Sequence, residues 1–134
     1  MFRKFHAFIR NNRGQALVEI ALILPVLLLL ISGVIEFGRV FNAYLTLTHS
    51  SREGARAGAV GKSDVVIEEI VKTASYPLDP DNLVIEINPL EGSRTRGDTI
   101  TVEINSSVNI YTPFINSLID NPFPVKGKTA MRVE

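Results

Sequence analysis

Residues 14–36 read GQALVEIALILPVLLLLISGVIE, a long and almost uninterrupted run of apolar side chains. Every side chain in residues 20–31 is apolar, and residues 16–35 contain a single charged side chain, that of Glu19. A helix of about 20 residues rises about 30 Å, which matches the hydrocarbon thickness of a lipid bilayer. The stretch therefore predicts a transmembrane helix, which we place at residues 15–36.

The charges on either side of this helix predict its orientation. Residues 1–14 form a basic leader without acidic side chains, and its basic residues are Arg3, Lys4, Arg10 and Arg13. Because basic flanks stay in the cytoplasm, we expect a cytoplasmic N-terminus and an extracytoplasmic domain at residues 37–134. Two alternatives stay open. One is a cleaved secretory signal peptide, although the residues after Ile31 form a poor cleavage site; the other is a buried helix of a soluble core.

The composition excludes several classes of function. The chain has 14 basic and 14 acidic residues, so the basic leader leaves a mildly acidic remainder. That balance argues against nucleic-acid binding by the domain. No cysteine is present, which excludes disulfides, thiolate metal sites and cysteine nucleophiles.

Glu19 is a carboxylate near the start of an apolar helix, a position that costs several kcal/mol unless the charge is paired or near the interface. One interpretation is that Glu19 reaches the lipid headgroups. Another is that a peptidase cuts between Gly14 and Gln15, which gives Gln15 a new α-ammonium group. The ammonium of one subunit could then neutralise Glu19 of a neighbour and favour parallel, staggered helices.

Pro25 lies inside the same apolar helix. It has no N–H to donate to the carbonyl of Ala21, and its ring clashes with that carbonyl. We therefore expect a kink at Pro25, which membrane helices tolerate better than soluble ones.

The ordered set of basic leader, Gly14, Glu19 and Pro25 resembles the class III signal of type IV pilins and pseudopilins. The string GQALVEIALILP is similar to the N-terminal signature of TadE-like pseudopilins of tight-adherence (Flp) pilus systems, and a weaker similarity continues to about residue 61. The resemblance implies processing at Gly14 and Gln15 by a prepilin peptidase and a role of Glu19 in assembly. Major pilins of that system are very short and usually have tyrosine where this chain has Ile20. The resemblance therefore favours the minor class.

Beyond the membrane segment, the apolar period predicts that the helix continues. Its stripe changes from large to small side chains: Phe37, Val40, Phe41, Tyr44, Thr48, Ser51, Ala55 and Ala59, with Gly54 and Gly58 alongside. We expect the stripe to pack on the domain's own sheet, the alternative being a groove for a partner. We interpret Glu36 and Arg39 as an ordinary surface pair. Gly61 is expected to end the helix, and Ser63 to cap a second helix at about residues 64–75.

The period then changes from helical to alternating, which predicts strands. The expected inner faces are Leu83, Ile85 and Ile87 in the first strand, Ile100, Val102, Ile104, Val108 and Ile110 in the second, and Thr129, Met131 and Val133 in a last strand at residues 128–133. The predicted fold is therefore an α+β, pilin-like one. A long N-terminal transmembrane helix continues into a domain whose second helix packs on a three-stranded antiparallel sheet.

Other motifs favour turns over sites. Arg96, Gly97 and Asp98 spell an adhesion triplet, but they lie in a glycine-rich hairpin loop. Asp79, Asp81 and Asn82 lack the spacing of a calcium loop. His6 and His49 flank the predicted membrane helix, so they cannot form one site. We expect no metal, no cofactor, no small-molecule substrate and no enzymatic activity.

The expected function is therefore structural. We predict a minor pseudopilin of a Flp-type surface pilus, in the cytoplasmic membrane or incorporated in a filament. Its expected partners are the membrane, a prepilin peptidase and other pilins or pseudopilins of the same system. The alternative is an unprocessed single-pass anchored binding module on the extracytoplasmic side.

Overall fold

A computed structural model describes residues 12–113 and 115–134. Most of the predicted basic leader lies outside the described residues. The elements in chain order are α1 (Asn12–Ala59), α2 (Asp64–Ala74), β1 (Val84–Asn88), β2 (Thr99–Val108) and β3 (Phe123–Arg132). The strands form an antiparallel sheet in the order β1-β2-β3. This architecture confirms the predicted α+β class.

The chain divides into two compact units, Met1–Ile35 and Glu36–Glu134. In the described part of the first unit, the large apolar side chains are about half exposed or more, and none of the most apolar window is covered by protein. Among the described residues, the helix Gly14–Ala59 is long and apolar enough to cross a membrane, judged by length and composition. A helix that is apolar all round needs an apolar environment. The apolar part of this helix, residues 14–35, fits a single-pass membrane protein, since the described residues do not bury it in a core.

The C-terminus of α1 is closed by the predicted glycine. Gly61 has φ of +79°, and its N–H donates to the carbonyl of Gly58 at 3.1 Å. The N–H of Lys62 donates to the carbonyl of Ala57, also at 3.1 Å. These two bonds satisfy carbonyls that the helix end would otherwise leave free. Ser63 then precedes α2 as its N-cap residue, as predicted, although its side chain makes no capping hydrogen bond.

The second unit has its core between the two helices and one face of the sheet. Ile100, Val102 and Ile104 of β2 are fully buried, which confirms the predicted inner face of this strand. They pack with Ile67 and Val71, which are the buried residues of α2. At about 25 cal/mol for each square ångström of apolar surface, burial of this kind is the main stabilising contribution to such a domain.

The last strand is longer than predicted, since β3 begins at Phe123 and not at residue 128. Its inner face continues through Val125 and Gly127, both buried. Pro124 and Gly127 concealed this part of the strand in the sequence, because proline and glycine ordinarily argue against a strand interior. Proline is tolerated here because β3 lies at the edge of the sheet.

Glycines allow α1 to lie close to its neighbours. A Cβ built on Gly58 would lie 2.1 Å from Cδ1 of Ile100, and one on Gly54 would lie 2.6 Å from Cγ2 of Val71. A Cβ on Gly127 would lie 2.4 Å from the backbone oxygen of Leu47. The small half of the predicted stripe therefore packs within its own domain, as expected.

The aromatic half of the stripe was predicted wrongly. Phe37, Phe41 and Tyr44 are exposed, and the inward positions of α1 include Ala43 and Leu47 instead. The exposed aromatic positions and the buried positions both have helical spacing, and the two sets are displaced from each other by one residue. The helical period alone therefore does not show which set faces the core. The close approach of β3 at Leu47 selects the face with the small Ala43, since rings would hold the strand away.

Candidate functional site

Gly14, Gln15 and Glu19 lie in the first two turns of α1. Gln15 and Glu19 are exposed and four residues apart, so they share one face of the helix. Gly14 is half-buried, and a Cβ built on it would meet nothing within 4 Å. Packing against the described residues therefore gives no reason for glycine at this position.

The peptide bond between Gly14 and Gln15 belongs to the first turn of α1, which begins at Asn12. The first four N–H groups of a helix have no partners within the helix, so this turn opens at the lowest cost. Glycine lowers that cost further, by about 1 kcal/mol relative to alanine. The predicted cleavage position is thus one of the easiest places in α1 to present as extended chain to a peptidase.

Pro25 lies within α1, and the helix is assigned continuously from Asn12 to Ala59. The missing N–H of proline leaves the carbonyl of Ala21 without its intrahelical donor. The kink at Pro25 stays a prediction.

Glu36 forms a buried hydrogen-bonded cluster that the sequence did not reveal. Its Oε1 accepts hydrogen bonds from the backbone N–H of Tyr111 at 2.9 Å and from the N–H and hydroxyl of Thr112 at 3.1 and 3.2 Å. Its Oε2 accepts from Arg39 at 2.6 Å. The expected Glu36–Arg39 pair is therefore present, but it is not an ordinary surface pair, because the Glu36 side chain is only 8 % exposed.

The electrostatics of this cluster favour the ionised carboxylate. Burial by itself raises the pKa of Glu36, whereas the hydrogen bonds from Tyr111 and Thr112 and the charge of Arg39 lower it. The lowering contributions prevail, so the pKa of Glu36 lies below its ordinary value. A carboxylate that accepts several backbone N–H bonds stabilises its negative form in this way.

The segment after β2 is held against α1 by the same cluster. The Arg39 guanidinium lies 4.7 Å from the ring centroid of Tyr111 and donates to the carbonyl of Asn109 at 3.3 Å. Asn121 binds both the N–H and the carbonyl of Ile110 at 3.0 Å. A signal was available in the sequence, since a lone acidic residue directly after a long apolar run requires a partner.

Within the adhesion triplet, the Asp98 carboxylate accepts hydrogen bonds from Thr95 of the same turn. Oδ2 of Asp98 accepts from the N–H of Thr95 at 2.8 Å and from its hydroxyl at 2.7 Å, and both bonds lower the pKa of Asp98. Gly97 has φ of +97°, a conformation that favours glycine. As predicted, the sequence Arg96-Gly97-Asp98 serves a turn.

In the loop that was considered as a calcium site, the Asp79 carboxylate already accepts hydrogen bonds from neighbouring residues. Asp79 accepts from the N–H of Asp81 at 3.1 Å and from the side-chain amide of Asn82 at 3.2 Å, so its carboxylate caps the short turn Pro80–Asn82. Within residues 12–113 and 115–134, no group of three or more His, Cys, Asp or Glu side chains could hold a metal ion. His49 is exposed on α1, and His6 lies outside the described residues.

The comparisons with known proteins bear on the first part of the chain. The family model described as TadE-like protein matches residues 14–56, which are about a third of the chain and include Gly14, Gln15, Glu19 and Pro25. No curated protein and no solved structure matches the chain. The matched segment starts at the predicted cleavage position and ends inside α1. Residues 14–56 are therefore similar to the TadE-like family, which connects this part of the chain to Tad pilus systems.

Proposed function

We propose that this chain is a structural minor pseudopilin, which contributes to the assembly or priming of a Tad (Flp) surface pilus after a prepilin peptidase removes its leader. The observation that carries the proposal is the exposed carboxylate of Glu19 on the uncovered apolar segment of α1. Glu19 would be the fifth residue of a chain that begins at Gln15. The TadE-like match over residues 14–56 supports the same assignment.

The physical reason for this role is that no basic side chain lies within one helical turn of Glu19 in the sequence. The five residues that follow it are apolar, so no basic side chain lies within one turn on that side. On the other side, the new ammonium of Gln15 would be four residues away, a rise of about 6 Å along the helix. In a bundle, the ammonium of a neighbouring subunit can replace this contact. The ion pair would then fix the axial register between two apolar helices.

Removal of the leader would change the charge at the N-terminus of the helix. The basic residues of the leader hold the N-terminus on the cytoplasmic side of the membrane. Cleavage after Gly14 removes these charges and creates the ammonium that Glu19 needs in the same step. One reaction therefore converts an anchored precursor into an assembly-competent subunit. The extracytoplasmic unit then has a structural role and needs no catalytic site.

The proposal is tested by Glu19→Gln in a cell that makes the pilus. The amide is nearly isosteric and neutral, so membrane insertion and the fold of the second unit are expected to be unchanged. Incorporation into the filament, or crosslinking to a partner pseudopilin, is expected to fall several-fold because the ion pair is lost. Membrane fractionation measures insertion, and crosslinking or filament purification measures assembly.

The matched control is Glu68→Gln, which removes the same charge from the exposed face of α2. It should assemble like the wild type. Unchanged assembly of Glu19→Gln would make Glu19 a carboxylate that merely reaches the headgroups. The competing function, an unprocessed anchored binding module, would then be favoured.

A further inference from the structure

An aromatic groove lies on the outer side of the second unit, and nothing in the described chain covers it. The exposed fraction is 71 % for Phe37 and about half for Phe41 and Tyr44. The rings of Phe37 and Phe41 are stacked, with centroids 6.1 Å apart and an interplanar angle of 10°. Together with Phe123 and Pro124 of β3, these side chains line a groove of about 310 Å³.

This surface is not a by-product of core packing, because the core face of α1 points elsewhere. Each of these rings carries 150–250 Å² of surface, so leaving three of them in water forgoes about 1.5–3 kcal/mol per side chain. Contiguous exposed apolar surface of this kind marks a place where a protein meets another phase or another molecule.

The charged residues in the two segments that line the groove are all basic. Residues 37–48 of α1 and 123–128 of β3 carry Arg39, Lys126 and Lys128 and no carboxylate of their own. Lys126 lines the groove and is 56 % exposed, whereas Glu103, the carboxylate that it binds, is 16 % exposed. The partner of Arg39 is the buried Glu36. The groove therefore presents cations beside apolar rings. This combination is complementary to a surface that is anionic outside and apolar beneath.

The length of the chain between the apolar segment and the groove limits the choice of occupant. Phe37 is the second residue after residue 35, where the apolar stretch ends, and two residues span at most about 7 Å. The headgroup layer on each side of a bilayer is itself about 5–8 Å thick. Phe37 therefore lies within or next to the headgroups whenever residues 16–35 cross a membrane. Aromatic side chains are enriched at this depth, because their rings accept the mixed polar and apolar environment.

We propose that the aromatic groove is a lipid-contact surface, which rests in the headgroup layer of a bilayer containing anionic phospholipid. Phe37 and Phe41 meet the upper acyl chains there, and Arg39 and Lys126 meet lipid phosphates. The inference rests on the membrane anchoring within the proposed function and is independent of filament assembly.

The test uses the full chain, which contains no tryptophan, so one substitution introduces a single tryptophan as the fluorescent probe. Phe41→Trp, and separately Phe37→Trp, is reconstituted into vesicles of phosphatidylcholine with phosphatidylglycerol. Vesicle flotation first establishes that the chain is anchored. Quenching by lipids brominated high on the acyl chain is then compared with quenching by aqueous acrylamide. Leu90→Trp is the matched control, since Leu90 is also exposed. Arg94 donates hydrogen bonds to the carbonyls of Pro89 and Lys62, so the loop of Leu90 lies beside the C-terminal end of α1, away from Phe37 and Phe41.

The expected result is several-fold stronger bromolipid quenching and weaker acrylamide quenching of Phe41→Trp than of Leu90→Trp. Adding Lys126→Gln to Phe41→Trp, or using phosphatidylcholine alone, should reduce the difference, whereas adding Lys72→Gln on the exposed face of α2 should not. Equal acrylamide quenching at the groove and control positions in floating vesicles overturns the lipid contact and leaves the proposed function standing. If Phe41→Trp is protected from acrylamide but not quenched by bromolipid, and the protection is lost when the protein is diluted in lipid, the groove binds a second copy of the chain and the lipid contact is overturned. A chain that does not float overturns both the contact and the anchoring.

Discussion

Gly127→Ala is the substitution that most directly tests how the domain is assembled. The added methyl carbon would lie 2.4 Å from the backbone oxygen of Leu47, 2.5 Å from its carbonyl carbon and 2.9 Å from its Cβ. Non-bonded carbon atoms are most stable at about 3.5–4.0 Å, so β3 and α1 would have to separate by about 1 Å. Neither side of the contact is a flexible side chain. Overpacking of this kind costs about 1–3 kcal/mol.

The assay is thermal unfolding of a fragment of residues 32–134, followed by far-ultraviolet circular dichroism. We expect the fragment to fold alone, because the core cluster lies entirely within Glu36–Glu134. For a domain of this size each kcal/mol corresponds to about 4–8 °C, so Gly127→Ala should lower Tm by roughly 4–24 °C.

Gly38→Ala is the matched control for this measurement, since its methyl group would meet nothing within 4 Å. Gly38 lies in the second helical turn of the fragment, where alanine should stabilise the fold by at most about 0.5–1 kcal/mol relative to glycine. An unchanged or raised Tm for Gly127→Ala would refute the close approach of β3 to Leu47. Contact with β3 would then not account for the inward face of α1.

Gly14→Leu should retain its leader in a peptidase-positive cell, whereas the control Gly38→Leu should be processed normally. N-terminal mass spectrometry measures both, and a mature N-terminus at Gln15 in Gly14→Leu would show that the cleavage position is misassigned. Glu36→Gln should destabilise the 32–134 fragment at neutral pH, because the neutral amide loses the ion pair with Arg39. Since the folded pKa of Glu36 lies below its ordinary value, its contribution is present above about pH 4.3 and is lost as the pH falls through the folded pKa. Denaturant titrations from pH 7 to pH 3 should therefore show the two proteins converging, and a difference independent of pH would contradict an ionised Glu36.

Some features of this protein follow from short stretches of sequence. A run of about 20 apolar residues is long enough to cross a bilayer wherever it occurs, so residues 16–35 indicate a membrane helix without further context. The alternation in β1 and β2 sets their inner faces, because side chains in a strand point to opposite faces in turn. Gly61 ends α1 through a conformation that glycine adopts readily. The interpretation of Gly14, Gln15 and Glu19 also depends only on neighbouring residues.

Other features were decided only by contacts between residues far apart in the chain. The helical period after residue 36 allows two inward faces displaced by one residue, and the approach of Gly127 to Leu47 selects the smaller one. The start of β3 at Phe123 depends on its being an edge strand, where Pro124 is tolerated. The burial of Glu36 depends on backbone donors in the segment after β2, 75 residues away at Tyr111. Local sequence determines which secondary structure each segment adopts. Where it allows two alternatives, such as two inward faces of a helix, contacts with backbone far away in the chain select one of them.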